Sequence, residues 1–310
     1  MKKTSYVLSL LTGCVLTGLS VSAQSQSGID STGLPGDNFS LQGALELFKT
    51  AASMEDFEKA LNSESNHVNN LDLDGDGNID YIMVIDQVNS NTHAIVLQVA
   101  VSASESQDIA VIGIDKTSDD HAVLQIIGDE DIYGEEVIVE PTDESMGMNS
   151  LDLLSDYGNN HGPAPAFVAD RFGIVVNVWL WPSVRFIYAP AYTVWRSPWR
   201  WAHYPGWWSP WRPYAWQKYR PLRQPYYAHC NIVRTHRVGR VQGFYRPMRT
   251  SSVIVRTHNR VVVNNYRVTR SRTTISGPRG NKVTRQSTTV HGRNGQGKVK
   301  RTNTTIKRHR

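Results

Sequence analysis

The sequence predicts an α+β protein. Two N-terminal helices pack on an antiparallel β-meander, followed by an extended Trp/Pro/Arg-rich segment and a basic tail that is either disordered or built of β-hairpins. Three observations predict this. Apolar residues recur at helical spacing over 41–61. Four or five short β-branched runs, separated by turn residues, fill 79–139. Residues 171–310 hold no acid at all, and proline and tryptophan crowd into their first part. Period, turn chemistry and composition are the signals that distinguish helix, strand and irregular chain.

The chain opens with Lys2 and Lys3, an apolar stretch from Tyr6 to Leu19, and small residues at Val21-Ser22-Ala23. This is the anatomy of a signal peptide over 1–23, cleaved before Gln24. Leu11-Thr12-Gly13-Cys14 offers a rival reading as a lipobox with Cys14 acylated, but the apolar stretch before it is very short. Cleavage after Ala23 leaves Cys230 alone, which excludes an intrachain disulfide and a Cys-based zinc site. No other segment reaches the ~18 apolar residues of a transmembrane helix. The expected localisation is therefore periplasm, cell surface or extracellular space.

Residues 24–37 read as a Ser/Gly linker, and a domain over 38–140 follows. Ser40 caps a helix with Leu41, Ala44, Leu45 and Phe48 on one face. Ser53 caps a second, with Glu55 and Asp56 in its first turn and Met54, Phe57, Ala60 and Leu61 on the buried face. The expected strands are 79–88, 94–101, 109–114, 122–127 and 137–139. His93 and His121, at strand starts, read as surface or edge residues. Asp129-Glu130-Asp131 with Glu135-Glu136 reads as a solvated acidic turn, with contact to the basic half as the alternative.

One stretch specifies a chemistry. Asp72, Asp74 and Asp76 stand at positions one, three and five of a loop, Gly77 at six, Asn78 at seven, and Asp80 at nine. Calcium loops place carboxylates at odd positions, a backbone carbonyl at seven and glycine at the sharp turn. The expected ligands are the side chains of Asp72, Asp74, Asp76 and Asp80 and the carbonyl of Asn78, with Ca²⁺ as the ion. Ile79 is expected to point inward. Position twelve is Met83 instead of the bidentate Glu, and Tyr81 to Ile85 read as a strand instead of an exiting helix. The loop resembles the D-x-D-x-D-G-x-x-D calcium loops of integrin-α-type β-propeller repeats more than a helix-loop-helix EF-hand. That resemblance covers nine residues and implies no overall fold.

Charge divides the chain. All 28 acids lie at or before Asp170, so 24–170 carries −25, while 171–310 carries +28. Such a split predicts separate partners, docking of the halves on each other, or association of chains head to tail. A linker over 141–166 leads to an apolar run from Phe167 to Trp181, read as a docking strand or a hairpin. The segment 167–228 holds all nine Trp, and its prolines argue against regular helix or central strand. Arg–Trp stacking is expected to hold it together. The tail 229–310 alternates Val, Thr and Arg and carries a repeat of ~15 residues: Thr273-Thr274-Ile275, Thr288-Thr289-Val290 and Thr304-Thr305-Ile306.

The layout resembles uncharacterised exported bacterial proteins that join a calcium-loop domain to a Trp/Pro/Arg-rich segment and a basic Thr-rich tail; the resemblance supplies no activity. No Ser-His-Asp order, H-E-x-x-H or Gly-x-Ser-x-Gly motif is present. The expected function is non-enzymatic: an exported calcium-binding envelope protein whose residues 171–310 engage an anionic polymer such as polysaccharide, lipopolysaccharide or peptidoglycan. A self-associating adhesive protein and an envelope glycan hydrolase are the alternatives. The signal peptide argues against nucleic acid as partner.

Overall fold

Two serine caps set the first layer. Ser40 accepts from Gly43 N and opens α1 (Leu41–Thr50); Ser53 accepts from Asp56 N and opens α2 (Met54–Leu61). Each side-chain oxygen satisfies an N–H that the first helical turn leaves free. Phe48 and Phe57 meet edge to face at 5.2 Å and lock the pair. This is a computed structural model, and it describes residues 31–142 and 175–268 and the backbone of 270–276, 282–291 and 298–307. The expected signal peptide 1–23, the start of the 24–37 linker, most of the 141–166 linker and residues 277–281 and 292–297 of the tail lie outside the described residues. The end of the first linker is packed: Leu34 is buried, and Pro35–Asn38 forms a 3-10 turn.

Six antiparallel strands follow in sequence order: β1 (Ile82–Asn89), β2 (Thr92–Ala100), β3 (Ser106–Ser118), β4 (His121–Gly128), β5 (Val137–Pro141) and β6 (Cys230–Val233). A single turn, α3 (Glu130–Tyr133), joins β4 to β5. The α+β class and the meander are as the sequence predicts. The sixth strand is not: it comes from the region expected as tail and pairs Ile232 with Val139.

One sheet face carries Ile82, Val84, Ile95, Leu97, Ile112 and Ile126 and packs under α1 and α2. The other carries Ala94, Val96, Val111, Ile127 and Ile138 and lies under Val238, Val241 and Tyr245. The last two belong to α6 (Gly239–Tyr245), which follows α4 (Pro182–Ile187) and α5 (Trp216–Arg223) in the basic half. Burial on both faces accounts for unbroken apolar runs such as Ala110-Val111-Ile112, where a sheet with one wet face would alternate. Gly113 admits the cover: a Cβ there would stand 2.9 Å from Val238 Cγ2 and 3.0 Å from Val241 Cγ2.

Three expectations for the second half need correction. The described part of the 167–181 run is irregular chain, not a strand; Val178 N donates to Ala122 O at 2.9 Å, and Asn177 ties to Asp120 and Ala122. Prolines do not bar all helix. Pro182 sits at the first turn of α4, where its missing N–H is not needed, and Pro221 lies inside the short α5. The β-branched stretch after residue 250 opens with a helix, α7 (Val253–Val268). Its N-terminus is capped from outside the segment: Glu105 Oε2 accepts from Ile254 N at 3.1 Å and from Ser252 Oγ at 2.6 Å, while Ser252 Oγ accepts from Val255 N. Capping and burial of Val255 and Val263 override a weak strand propensity. Beyond it, β7 (Arg270–Ser276), β8 (Lys282–His291) and β9 (Lys298–Lys307) form a separate antiparallel sheet, so the tail takes its hairpin alternative. Among the described residues no helix is long and apolar enough to cross a membrane.

Candidate metal centre

The chain reverses between Asn69 and Asp80, and its base is stitched shut. Asp80 N donates to Leu71 O at 2.8 Å, Asn69 Nδ2 donates to Asp80 O at 2.8 Å, and Leu71 N donates to Asn69 Oδ1 at 3.1 Å. Leu71, Leu73 and Ile79 are buried anchors, Ile79 as its inward position predicts. The polar residues between them have to project outward.

Backbone amides then orient the carboxylates. Asp72 accepts from Gly75 N at 2.8 Å and from Gly77 N at 3.0 Å; Asp74 accepts from Asp76 N at 3.1 Å; Asp76 accepts from Asn78 N at 2.7 Å. Gly75 and Gly77 take φ of +79° and +85°, a left-handed conformation that glycine adopts without strain. One oxygen from each of Asp72, Asp74 and Asp76 lies within 4.8 Å of the others, a group that could hold a metal ion. An all-oxygen donor set suits a hard cation.

Asp80 stands one step behind this trio. It is buried, and its Oδ2 accepts from Leu73 N at 2.5 Å. Burial pushes its acid up to about 8, and the charges of Asp74, Asp72 and Asp76 add to the rise. Partial burial and the neighbouring carboxylates raise Asp74 as well. Burial is the larger cause in both, and the crowded negative charge that adds to it is what a cation would relieve. The Asn78 side chain donates to Asp76 Oδ2 at 3.2 Å. Met83, at the twelfth position, is buried in β1 and offers no oxygen ligand.

The basic half runs alongside the loop. Ile79 N donates to Trp211 O at 2.8 Å, and Asn70 exchanges two hydrogen bonds with the backbone of Tyr214. Trp208 is buried on Tyr81 and Met83, its ring 5.1 Å from that of Tyr81. Tyr204 is held above its ordinary value by burial, and the charges of Asp80, Asp74 and Asp76 add to this. Residue spacing gives no hint of these neighbours. Glu58 does leave a trace. It falls between Phe57 and Leu61 on the apolar face of α2, and its buried carboxylate accepts from Tyr81, Val84, Trp195 and Ser197.

The halves dock on each other. Arg237 pairs with Glu140 at 2.8 Å, Arg246 with Glu136 at 2.6 Å, and Arg249 with both Asp129 and Asp131. The 129–136 cluster is therefore an acceptor for the basic half, and Asp129 is buried instead of solvated. Ring stacking differs from expectation in its cations. Lys116, Lys59 and Lys49 of the acidic half lie over Trp179, Trp207 and Trp181, whereas Arg223 is the arginine over a tryptophan, Trp216, among the described contacts. His93 is not a surface residue: it is buried, with Nδ1 2.9 Å from Asp86 Oδ2 and its ring against Tyr188. Cys230 is a buried free thiol whose ionisation burial opposes. No family model matches the chain, and neither a curated protein nor a solved structure matches it.

Proposed function

We propose that this is an exported, non-enzymatic calcium-binding protein of the cell envelope whose basic aromatic half engages an anionic polymer. The single observation that carries the calcium reading is the convergence of Asp72, Asp74 and Asp76 within 4.8 Å on a turn with two left-handed glycines. In this reading Asp80 and the carbonyl of Asn78 complete the ligand set, as positions nine and seven do in loops of this pattern. With no acid at position twelve, affinity falls in the range of extracellular modules, about 10⁻⁴–10⁻³ M. The ion draws four acids together at the entry to β1 and fixes the start of the sheet.

Calorimetric titration of the chain from Gln24 onward tests this. Calcium is expected to give a binding heat and a higher melting temperature, both lost in D72N and D76N. Absence of heat and of any shift in melting temperature at millimolar calcium would sink the reading.

A further inference from the structure

Several arginines of the basic half are spent inside the fold. Arg237, Arg246 and Arg249 meet acids, and Arg223 is sunk among Trp216, Tyr219 and Tyr227. Arg196, Arg200 and Arg212 differ. All three are exposed, and among the described residues no carboxylate pairs with them. They bracket a run that turns large aromatic rings outward: Trp201, Tyr204 and Trp207 are 39%, 39% and 49% exposed. Neighbouring Trp208 is buried, so exposure is not a general property of this tryptophan-rich chain.

The backbone is shaped to present these rings. Arg200 and His203 exchange backbone hydrogen bonds of 3.2 and 2.9 Å across a two-residue turn. Ala202 takes φ +58° there, a conformation unfavourable for any residue with a Cβ. A second turn closes with Trp208 N donating to Pro205 O at 3.0 Å. The outward rings rest on a firm base: Tyr204 and Trp207 lie 5.8 and 6.3 Å from Tyr81, which is itself buried and held by Glu58. Lys59 stands 5.5 Å from the Trp207 ring.

We propose that Trp201, Tyr204 and Trp207, with Arg200 and Arg212, form a binding surface for an acidic polysaccharide made of uronic acid pyranoses. A pyranose presents a face of C–H bonds whose positive edge suits the negative face of an indole or phenol ring. Its carboxylate takes a guanidinium fork. An acidic sugar chain offers both groups on every residue, which matches exposed rings bracketed by unpaired arginines along one short run. The half-sunk rings, flanked by arginine instead of aliphatic side chains, give a stacking face and no wedge for a bilayer. The inference rests on the envelope-polymer reading and sharpens it: the anion site lies in 196–212, away from the arginines that hold the acidic half.

The test titrates the full mature chain at about 0.15 M salt with polygalacturonate, neutral dextran, duplex DNA and vesicles containing phosphatidylglycerol, reading tryptophan fluorescence and co-sedimentation. Polygalacturonate is expected to bind and dextran to bind far more weakly. W201A, with its ring at an exposed turn, and the pair R200Q/R212Q are each expected to weaken polygalacturonate about tenfold, near 1.4 kcal/mol, with unchanged melting temperature. If wild type binds polygalacturonate and these variants bind equally well, the surface is elsewhere and only the broader reading stands. If the chain binds DNA or vesicles in preference to polygalacturonate, the proposed class of ligand is wrong. If it binds none of the anionic probes, both readings fall.

Discussion

Ser197 Oγ donates to the Glu58 carboxylate at 2.8 Å, joining α2 to a residue 139 positions further along the chain. The same carboxylate accepts from Tyr81 Oη at 2.9 Å, Val84 N at 3.0 Å and Trp195 Nε1 at 3.2 Å. One buried acid therefore gathers the second helix, the strand leaving the aspartate loop, and the tryptophan-rich run. All four partners are donors, so no neutral apolar side chain can replace it without leaving them bare.

E58A is expected to lose about 3 kcal/mol of stability, the order of cost for stranding several buried donors of a charged acceptor. Urea denaturation measures it. The same variant should be cut faster by protease within 195–200, because that run loses two of its ties to the acidic half. E58Q keeps one acceptor oxygen and should fall between wild type and E58A. Equal stability of E58A and wild type would remove Glu58 from its place as the joint of the two halves.

Much of the acidic half is legible in the chain itself. Serine caps, apolar spacing and turn residues place both helices and five of the strands, because those signals are local. The aspartate register likewise brings three of its acids together. What the sequence conceals is long-range. Nothing in Cys230 to Val233 marks it as a sixth strand, since four residues carry too little periodicity. α7 reads as strand because its cap comes from Glu105, about 150 positions earlier. His93 reads as an edge residue because its partner Asp86 becomes a neighbour through cross-strand geometry. The unbroken apolar strands were the available sign that a second layer covers the sheet.

That second layer makes Gly113 a test. A Cβ at this position meets Val238 and Val241 closer than van der Waals contact allows. G113A is expected to destabilise the protein by about 1–3 kcal/mol, as overpacking does in a filled interior. Pairing it with V238A should recover part of the loss. Thermal melts of the single and double variants check both statements; a G113A protein as stable as wild type would mean that α6 does not press on the sheet.

Asp80 gives the loop a pH signature. In chelator its folded acid stands at about 8, well above its unfolded value of 3.8, because burial opposes its charge. A group raised in this way contributes stability below the unfolded value and loses it as pH rises through the folded one. Metal-free protein should therefore melt at falling temperature from pH 6 to 9. Calcium should flatten that decline by stabilising the ionised form, and its binding at pH 7 should release a proton, seen as a buffer-dependent heat. D80N should abolish the pH trend. A metal-free melting temperature constant over this interval would show that Asp80 does not titrate there.

Arg249 ties the halves through two carboxylates, and its role can be separated from simple charge. Its guanidinium meets Asp129 and, at 2.6 Å, Asp131. The Asp129 side chain is only 3% exposed, and burial holds its acid up to about 6 even with the arginine present. Removing Arg249 leaves a buried carboxylate alone, a loss of about 3–5 kcal/mol. R249A should show the loss most clearly at pH 7.5, above the value of about 6 that Asp129 keeps with its arginine in place. Without the arginine the acid rises further, so the deficit should shrink as pH falls toward about 6 and stay small below it, where Asp129 is protonated in both proteins. D129N in the R249A background should restore much of the stability at pH 7.5 by the same reasoning. R249K should recover only part, since an ammonium cannot span two carboxylates with a planar fork. Denaturation of the three variants at pH 5 and pH 7.5 separates the cases: a deficit that is the same at both values would assign the effect to lost packing and not to the unpaired acid.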